Sequence, residues 1–284
     1  MERIKLAIEK AKAGAIGTPG LRGSGRGRSD FRSTSDGHTD FNEGQHGSIE
    51  GAVDYTQTAV VGLDDVHLEQ HRVVSHQKSH PASWVFDVLR TQVLQKMDEG
   101  GWRTLAITSP SVESGKTVVS INLAISIAQQ TNRTALLVDF DLRRPSVART
   151  LGLTRSESLN DVLDGGVDLA DALVNPGIDR LVVLPTNRPV SGASEVLSSD
   201  KVGRLIDELR DRYSDRIVIF DLPPVLAADD VMTLVPRVDC VLMVVGSGVS
   251  TQKEVEEAMN RLSKANLLGV VLNKDDSPSQ NAYY

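Results

Sequence analysis

The run Ser109-Pro110-Ser111-Val112-Glu113-Ser114-Gly115-Lys116-Thr117 has the residue types that hold the phosphates of a nucleotide. Backbone N–H groups at a helix start face an anion, and the helix dipole adds positive potential there. Ser111, Val112, Glu113, Ser114, Gly115, Lys116, Thr117 and Val118 would form that cradle. Lys116 can reach the β- and γ-phosphates of ATP, and the Thr117 hydroxyl can ligate Mg²⁺. The usual pattern is Gly-x4-Gly-Lys-Ser/Thr; here Pro110 stands at the first Gly position.

Two further segments carry carboxylates suited to the same site. Leu136-Leu137-Val138-Asp139-Phe140-Asp141-Leu142-Arg143-Arg144-Pro145 is an apolar run ending in two carboxylates and two arginines, and Ile217-Val218-Ile219-Phe220-Asp221 ends in another carboxylate. In an open parallel sheet, ligands bind at the carboxyl ends of strands. Three such ends would bring together a lysine, a hydroxyl and three carboxylates. Phosphoryl transfer asks the protein mainly for positioning and charge neutralisation. Thr117 would bind Mg²⁺ directly, with Asp221 and Asp139 or Asp141 holding its waters, because Mg²⁺ keeps part of its hydration shell. Arg143 and Arg144 are either phosphate-facing cations or surface charges at a strand end.

The elements that must position these groups follow from hydropathy. After a helix over 82–97, apolar strands are predicted near 104–108, 134–139, 181–186, 216–221, 239–246 and 268–272. Helical stretches lie around 117–130, 158–174, 200–213, 228–236 and 251–265. Strand–helix alternation implies right-handed crossovers: an α/β fold of the P-loop NTPase kind, with a mostly parallel sheet and helices on both faces. The expected organisation is a short amphipathic helix over 1–13, a largely disordered flexible linker over 14–80, a P-loop domain over 81–274 and a flexible tail over 275–284. Ile4, Ala7, Ile8 and Ala11 form the apolar stripe of the first helix. The region after it is rich in Gly, Ser, Arg, Asp and Thr, which cannot bury a core.

Composition narrows the function. A net charge of −7 argues against nucleic acid as a partner, since that binding is driven by phosphate neutralisation. Apolar runs fall short of the ~20 residues of a membrane span. The lone Cys240 lies in an apolar strand, and together these features suggest a cytoplasmic setting. The six histidines all precede residue 81. The pairs His67/His71 and His76/His80 are spaced for a helical metal site, or are ordinary packing, and histidine is not available as a general base in the core.

These motifs in this order resemble the bacterial tyrosine kinases that act on themselves and regulate polysaccharide export. Their signatures are a proline-containing phosphate loop, an Asp-x-Asp-x-Arg strand end and an Asp-x-Pro-Pro strand end (Asp221 to Pro224). The resemblance runs from about Trp84 to Tyr284. It takes in Leu151-Gly152-Leu153, Ser158-Leu159-Asn160-Asp161-Val162-Leu163, Glu195-Val196-Leu197-Ser198-Ser199, Gly269-Val270-Val271-Leu272-Asn273-Lys274 and Tyr283-Tyr284. Within the family the chain is most similar to the autokinases of exosortase-linked exopolysaccharide loci. The resemblance implies Asp139 as the base for the acceptor hydroxyl, Asp141 as metal support, and catalytic roles for Lys116 and Arg143. It implies nucleotide contact by Asn273 and acceptors at Tyr283 and Tyr284, phosphorylated in trans. A transmembrane polysaccharide co-polymerase (chain-length adaptor) would hold the kinase at the inner face of the plasma membrane, with possible homo-oligomerisation. The family's Glu-x-x-Arg-x-x-Arg ring helix aligns here with Trp84, Asp87 and Arg90, and only the last matches. A nucleotide-switched ATPase of the partitioning or division-site type would carry a lysine where Ser111 stands. An ATP-binding pseudokinase gating the export complex is the remaining alternative.

Overall fold

A computed structural model gives the fold and describes residues 58–275, apart from 131, 156 and 228. The elements run β1 (Ala59–Val60), α1 (Asp65–Gln70), α2 (Ser83–Gly100), β2 (Thr104–Thr108), α3 (Lys116–Gln130), β3 (Thr134–Asp139), α4 (Val147–Leu151), α5 (Leu159–Asp164) and α6 (Leu169–Ala172). They continue with β4 (Val174–Asn175), β5 (Leu181–Leu184), α7 (Ala193–Ser198), α8 (Asp200–Asp211), β6 (Arg216–Asp221), α9 (Asp230–Leu234), β7 (Cys240–Gly246), α10 (Gln252–Arg261) and β8 (Leu267–Asn273).

The strands form one sheet in the order β1-β4-β5-β3-β6-β2-β7-β8. The pairs from β5 to β8 are all parallel, and the chain reverses at the antiparallel β4–β5 pair. Strands β2, β3, β6 and β7 are buried along their whole length, which is why they read as unbroken apolar runs rather than alternating ones. One core layer centres on Leu136, Val138, Phe140 and Phe220, with the last two rings stacked at 5.3 Å. The opposite layer packs α3, through Ile121, Leu123, Ile125 and Ile127, against Leu105, Ile107, Leu137 and Ile219.

Two expectations need correction. Residues 58–80 are not linker. Leu68 and Val73 are fully buried, and the Asn122 side chain on α3 ties this segment down. Its Oδ1 accepts the Val74 and Ser75 N–H groups at 2.8 and 2.9 Å, and its Nδ2 donates to the Arg72 carbonyl at 3.0 Å. The polar composition concealed a few well-placed apolar residues. The single helix expected over 158–174 is α5 and α6 followed by β4, broken at Gly165, which takes φ +78 at the helix end. The helix over 1–13, the linker from 14 to 57, His38, His46, and Tyr283 and Tyr284 lie outside the described residues. His67 Nε2 hydrogen-bonds the Arg149 carbonyl and so joins α1 to α4, whereas His71 Nδ1 hydrogen-bonds the His67 carbonyl within α1.

Candidate active site

Parallel register builds the site. In the β3–β6 ladder Asp139 lies opposite Asp221, and in the β2–β6 ladder Asp221 lies opposite Ile107, just ahead of the phosphate loop. Three strand ends therefore meet at one point of the sheet edge, as an open α/β fold demands. The loop between β2 and α3 then delivers Lys116 and Thr117 over that point.

Pro110 fits the loop because this position does not take a left-handed φ. The positive φ values fall at Glu113 (+62) and Gly115 (+86). The Pro110 carbonyl accepts the Leu226 N–H, and the Ser109 carbonyl accepts the Val225 N–H, so the segment after β6 braces the loop start. Behind the loop, Asn273 Nδ2 donates to the Ser114 carbonyl at 2.9 Å. A Cβ on Gly115 would collide with that same Nδ2, which makes glycine obligatory there beyond its φ. Ser114 Oγ lies 3.2 Å from Ser250 Oγ and donates to the Ser111 carbonyl at 3.0 Å.

Lys116 Nζ lies 2.9 Å from Asp141 Oδ2 and 3.4 Å from Asp221 Oδ2. Burial alone would lower its pKa, but the carboxylates of Asp221 and Asp141 outweigh that and hold it above the ordinary lysine value. Thr117 Oγ1 donates to Asp221 Oδ2 at 2.7 Å, and Ser120 Oγ donates to its other oxygen at 3.0 Å. Burial raises the Asp221 pKa. The Asp139 carboxyl is pushed up to about 8, first by burial and then by the neighbouring Asp221.

A cavity of about 440 Å³ opens over this cluster, lined by Val112, Glu113, Gly115, Lys116, Thr117 and Val118 on one side. Asp141, Arg143, Arg144, Ser146 and Arg149 line the facing side, with Pro223, Pro224 and Ala227 at the end. Asp139 and Asp221 stand behind this wall. Asp139 is fully enclosed: Oδ2 accepts the Ser146 and Val147 N–H groups, both at 2.9 Å, and Oδ1 accepts the Asp141 N–H at 3.2 Å. The carboxylate facing the cavity is Asp141.

Arg143 reaches the rim on a fixed support. Its Nε and Nη2 donate to the two oxygens of the buried Asp230 at 2.7 and 3.1 Å, and Nη2 also donates to Ser194 Oγ at 3.0 Å. Ser194 in turn hydrogen-bonds Asp230. Asp230 is therefore an anchor for Arg143. Asn273, expected to contact the nucleotide, is held beside the phosphate loop by its amide bond to the loop carbonyl. Ser146, whose Oγ lies 2.9 Å from Thr117 Oγ1, and Arg149 were not singled out from sequence. The only available signal was their position just after Arg143-Arg144-Pro145.

The chain is similar to known proteins in sequence and in fold. The family described as AAA domain matches residues 103–267. The tyrosine-protein kinase Wzc of Salmonella typhi is 33% identical over 187 residues, which is 65% of this chain and 26% of Wzc. The chain thus spans about a quarter of that relative's length. Among solved structures, the kinase domain of the Escherichia coli tyrosine kinase Etk is 29% identical, with 79% of this chain and 91% of that domain covered and a TM-score of 0.68. The VpsO kinase domain is 30% identical over 68% of this chain and 96% of its own length, with a TM-score of 0.61.

Proposed function

Since this chain belongs to the bacterial tyrosine-kinase family and carries an AAA domain over residues 103–267, we propose that it is an ATP-dependent autokinase. It moves the γ-phosphoryl group of ATP to Tyr283 and Tyr284. The observation that carries this reading is the convergence of Thr117, Asp141 and Asp221 on the Lys116 ammonium at a loop-lined cavity.

Lys116 is charged at all working pH values and is held by carboxylates. A triphosphate in the loop competes for it and releases Asp141 at the cavity wall. Asp141, rather than the enclosed Asp139, then takes the proton of the tyrosine hydroxyl as its oxygen bonds the γ-phosphorus and the bond to ADP breaks. Asp139 holds the 146–147 turn and through it the facing wall. Arg143, fixed by Asp230 and Ser194, offsets charge on the transferred group. The hydroxyl of Thr117 and the carboxylates of Asp221 and Asp141 are hard oxygen donors that fit Mg²⁺. When bound, Mg²⁺ supplies charge neutralisation of the phosphates.

We assign the biological setting from the family resemblance: control of exopolysaccharide biosynthesis or export from the inner face of the membrane, through a transmembrane polysaccharide co-polymerase. Intact-mass and peptide mass spectrometry after incubation with Mg-ATP tests the chemistry. Phosphate is expected on Tyr283 or Tyr284 of the wild type. It should be absent from Lys116→Ala and reduced by ~10²–10⁴-fold in initial rate in Asp141→Asn. ATP binding with an unmodified tail would replace this reading with an ATP-binding pseudokinase.

A further inference from the structure

Three arginines stand on the cavity wall that faces the phosphate loop: Arg143, Arg144 and Arg149. Arg143 is committed to Asp230, and across the cavity Lys116 is committed to Asp141 and Asp221. Among the described residues, neither Arg144 nor Arg149 is paired with a carboxylate. A guanidinium in that state keeps its N–H donors for a ligand, and its planar fork matches the oxygens of a phosphate. Of the two, Arg149 belongs to the helix that touches the phosphate loop. It lies one turn after Ser146, whose Oγ is 2.9 Å from Thr117 Oγ1. Residues three apart on a helix have Cβ atoms only about 5–6 Å apart. The Arg149 side chain therefore starts close to the hydroxyl that faces the terminal phosphates of a bound nucleotide.

Helix α4, which carries Arg149, has five residues and is too short to hold its shape alone. Distant segments pin it at both ends. At its start, Asp139 Oδ2 accepts the Ser146 and Val147 N–H groups. At its end, the Arg149 carbonyl is one of the acceptors that a helix terminus leaves open. It takes the Gly152 N–H at 3.2 Å and His67 Nε2 at 2.9 Å, from 82 residues earlier in the chain. Nε2 carries the hydrogen in this contact, because a carbonyl only accepts. The ring also lies against Gly152, where a Cβ would sit 3.1 Å from His67 Cδ2. The hydrogen bond and this close approach fix the Arg149 backbone, and with it the reach of the guanidinium.

We infer that Arg149 binds the terminal phosphate of a nucleoside triphosphate and so separates triphosphate from diphosphate, with His67 of α1 as its positioning residue. The inference rests on the nucleotide site of the autokinase reading. It adds a residue that lies outside the phosphate loop and the three strand ends. It also gives residues 58–80 a part in nucleotide recognition, since α1 supplies the group that holds the Arg149 carbonyl.

Calorimetric titration of the full chain tests it, with a β,γ-non-hydrolysable ATP analogue and with ADP, each in the presence of Mg²⁺. Losing a hydrogen-bonded contact to a charged group should weaken the analogue by ~10–100-fold in Arg149→Ala and leave ADP unchanged. Arg149 is exposed, so the substitution spares the fold. Arg149→Lys keeps the charge without the fork and should fall between the two. His67→Ala should weaken the analogue by a smaller factor, again with ADP unchanged. His67→Gln, whose side-chain amide can donate to the same carbonyl, should restore it. In the Arg149→Ala background His67→Ala should add nothing, because the two residues act through one contact. A loss shared by ADP, or no loss in Arg149→Ala, would overturn the assignment while leaving the autokinase reading standing. No effect of His67→Ala, or one that survives in the Arg149→Ala background, would overturn the positioning role. A wild-type chain that binds neither nucleotide would overturn the autokinase reading itself.

Discussion

Asp139 and Asp221 face each other across the β3–β6 register with both side chains enclosed. Two carboxylates in such a place cannot both ionise cheaply. Asp139 is accordingly pushed from 3.8 to about 8. The folded form then binds a proton that the unfolded chain releases, so this group's stabilisation is complete below pH 3.8 and is lost as pH rises towards about 8. Unfolding by urea across that window should show stability of the nucleotide-free protein falling with pH. Asp139→Asn keeps an oxygen for the Ser146 and Val147 N–H groups and gives up only the longer bond to Asp141. It should therefore fold and show a flatter pH dependence. Parallel curves for the two proteins would place the proton elsewhere. Lys116 adds the opposite charge at the cavity side.

Elements decide how firmly these side chains are held. α3 serves both sides of the molecule: its first turn carries Lys116 and Thr117, and its middle carries Asn122. That amide replaces a whole hydrogen-bonded element for residues 72–75, satisfying two buried N–H groups and one carbonyl. Asn122→Ala leaves those backbone groups without partners, at a cost of about 2 kcal/mol. Chemical denaturation should register that loss, and limited proteolysis should show earlier cleavage within 58–80. Unchanged stability would mean that the apolar contacts of Leu68 and Val73 hold the segment unaided. Helix α2 shows a different economy. Arg90 pairs with Asp87 at 2.7 Å and donates to Ser126 Oγ at 2.9 Å, so it bonds within this molecule, while Trp84, Val85 and Val88 are exposed. Among the described residues no helix is long and apolar enough to cross a membrane.

For the molecule as a whole, the cavity joins the loop after β2 to the turns after β3 and β6, so a ligand that bridges them should stabilise the entire fold. Saturation at one hundred times the dissociation constant adds about 2.7 kcal/mol. Mg-ATP should therefore raise the melting temperature of the wild type. Chelating Mg²⁺ should shrink the shift, because the carboxylates of Asp141 and Asp221 then meet the phosphates unshielded. Lys116→Ala should show little shift under either condition. An equal shift with and without Mg²⁺ would remove the metal role given to Thr117 and Asp221.

Much of this was legible because its cause is local. The phosphate loop, the carboxylates ending β3 and β6, and the strand–helix alternation follow from residue type and hydropathy period, which a chain carries before it folds. Strands β2, β3 and β6 lie where apolar runs placed them, since a parallel strand buried on both faces leaves an uninterrupted signature. What depends on distant partners was not legible. Residues 58–80 look like linker until Asn122 is set against them. Asp230 finds its role only beside Arg143. Asn273 proves to be a brace for the loop because β8 ends next to it. The different placements of Asp139 and Asp141, two residues apart in one motif, arise from the turn at 146–147, which wraps one carboxylate and leaves the other facing the cavity. Sequence determined which chemical groups meet at the strand ends; tertiary structure decided which of them are accessible, because burial and hydrogen-bond partners are set by segments far away along the chain.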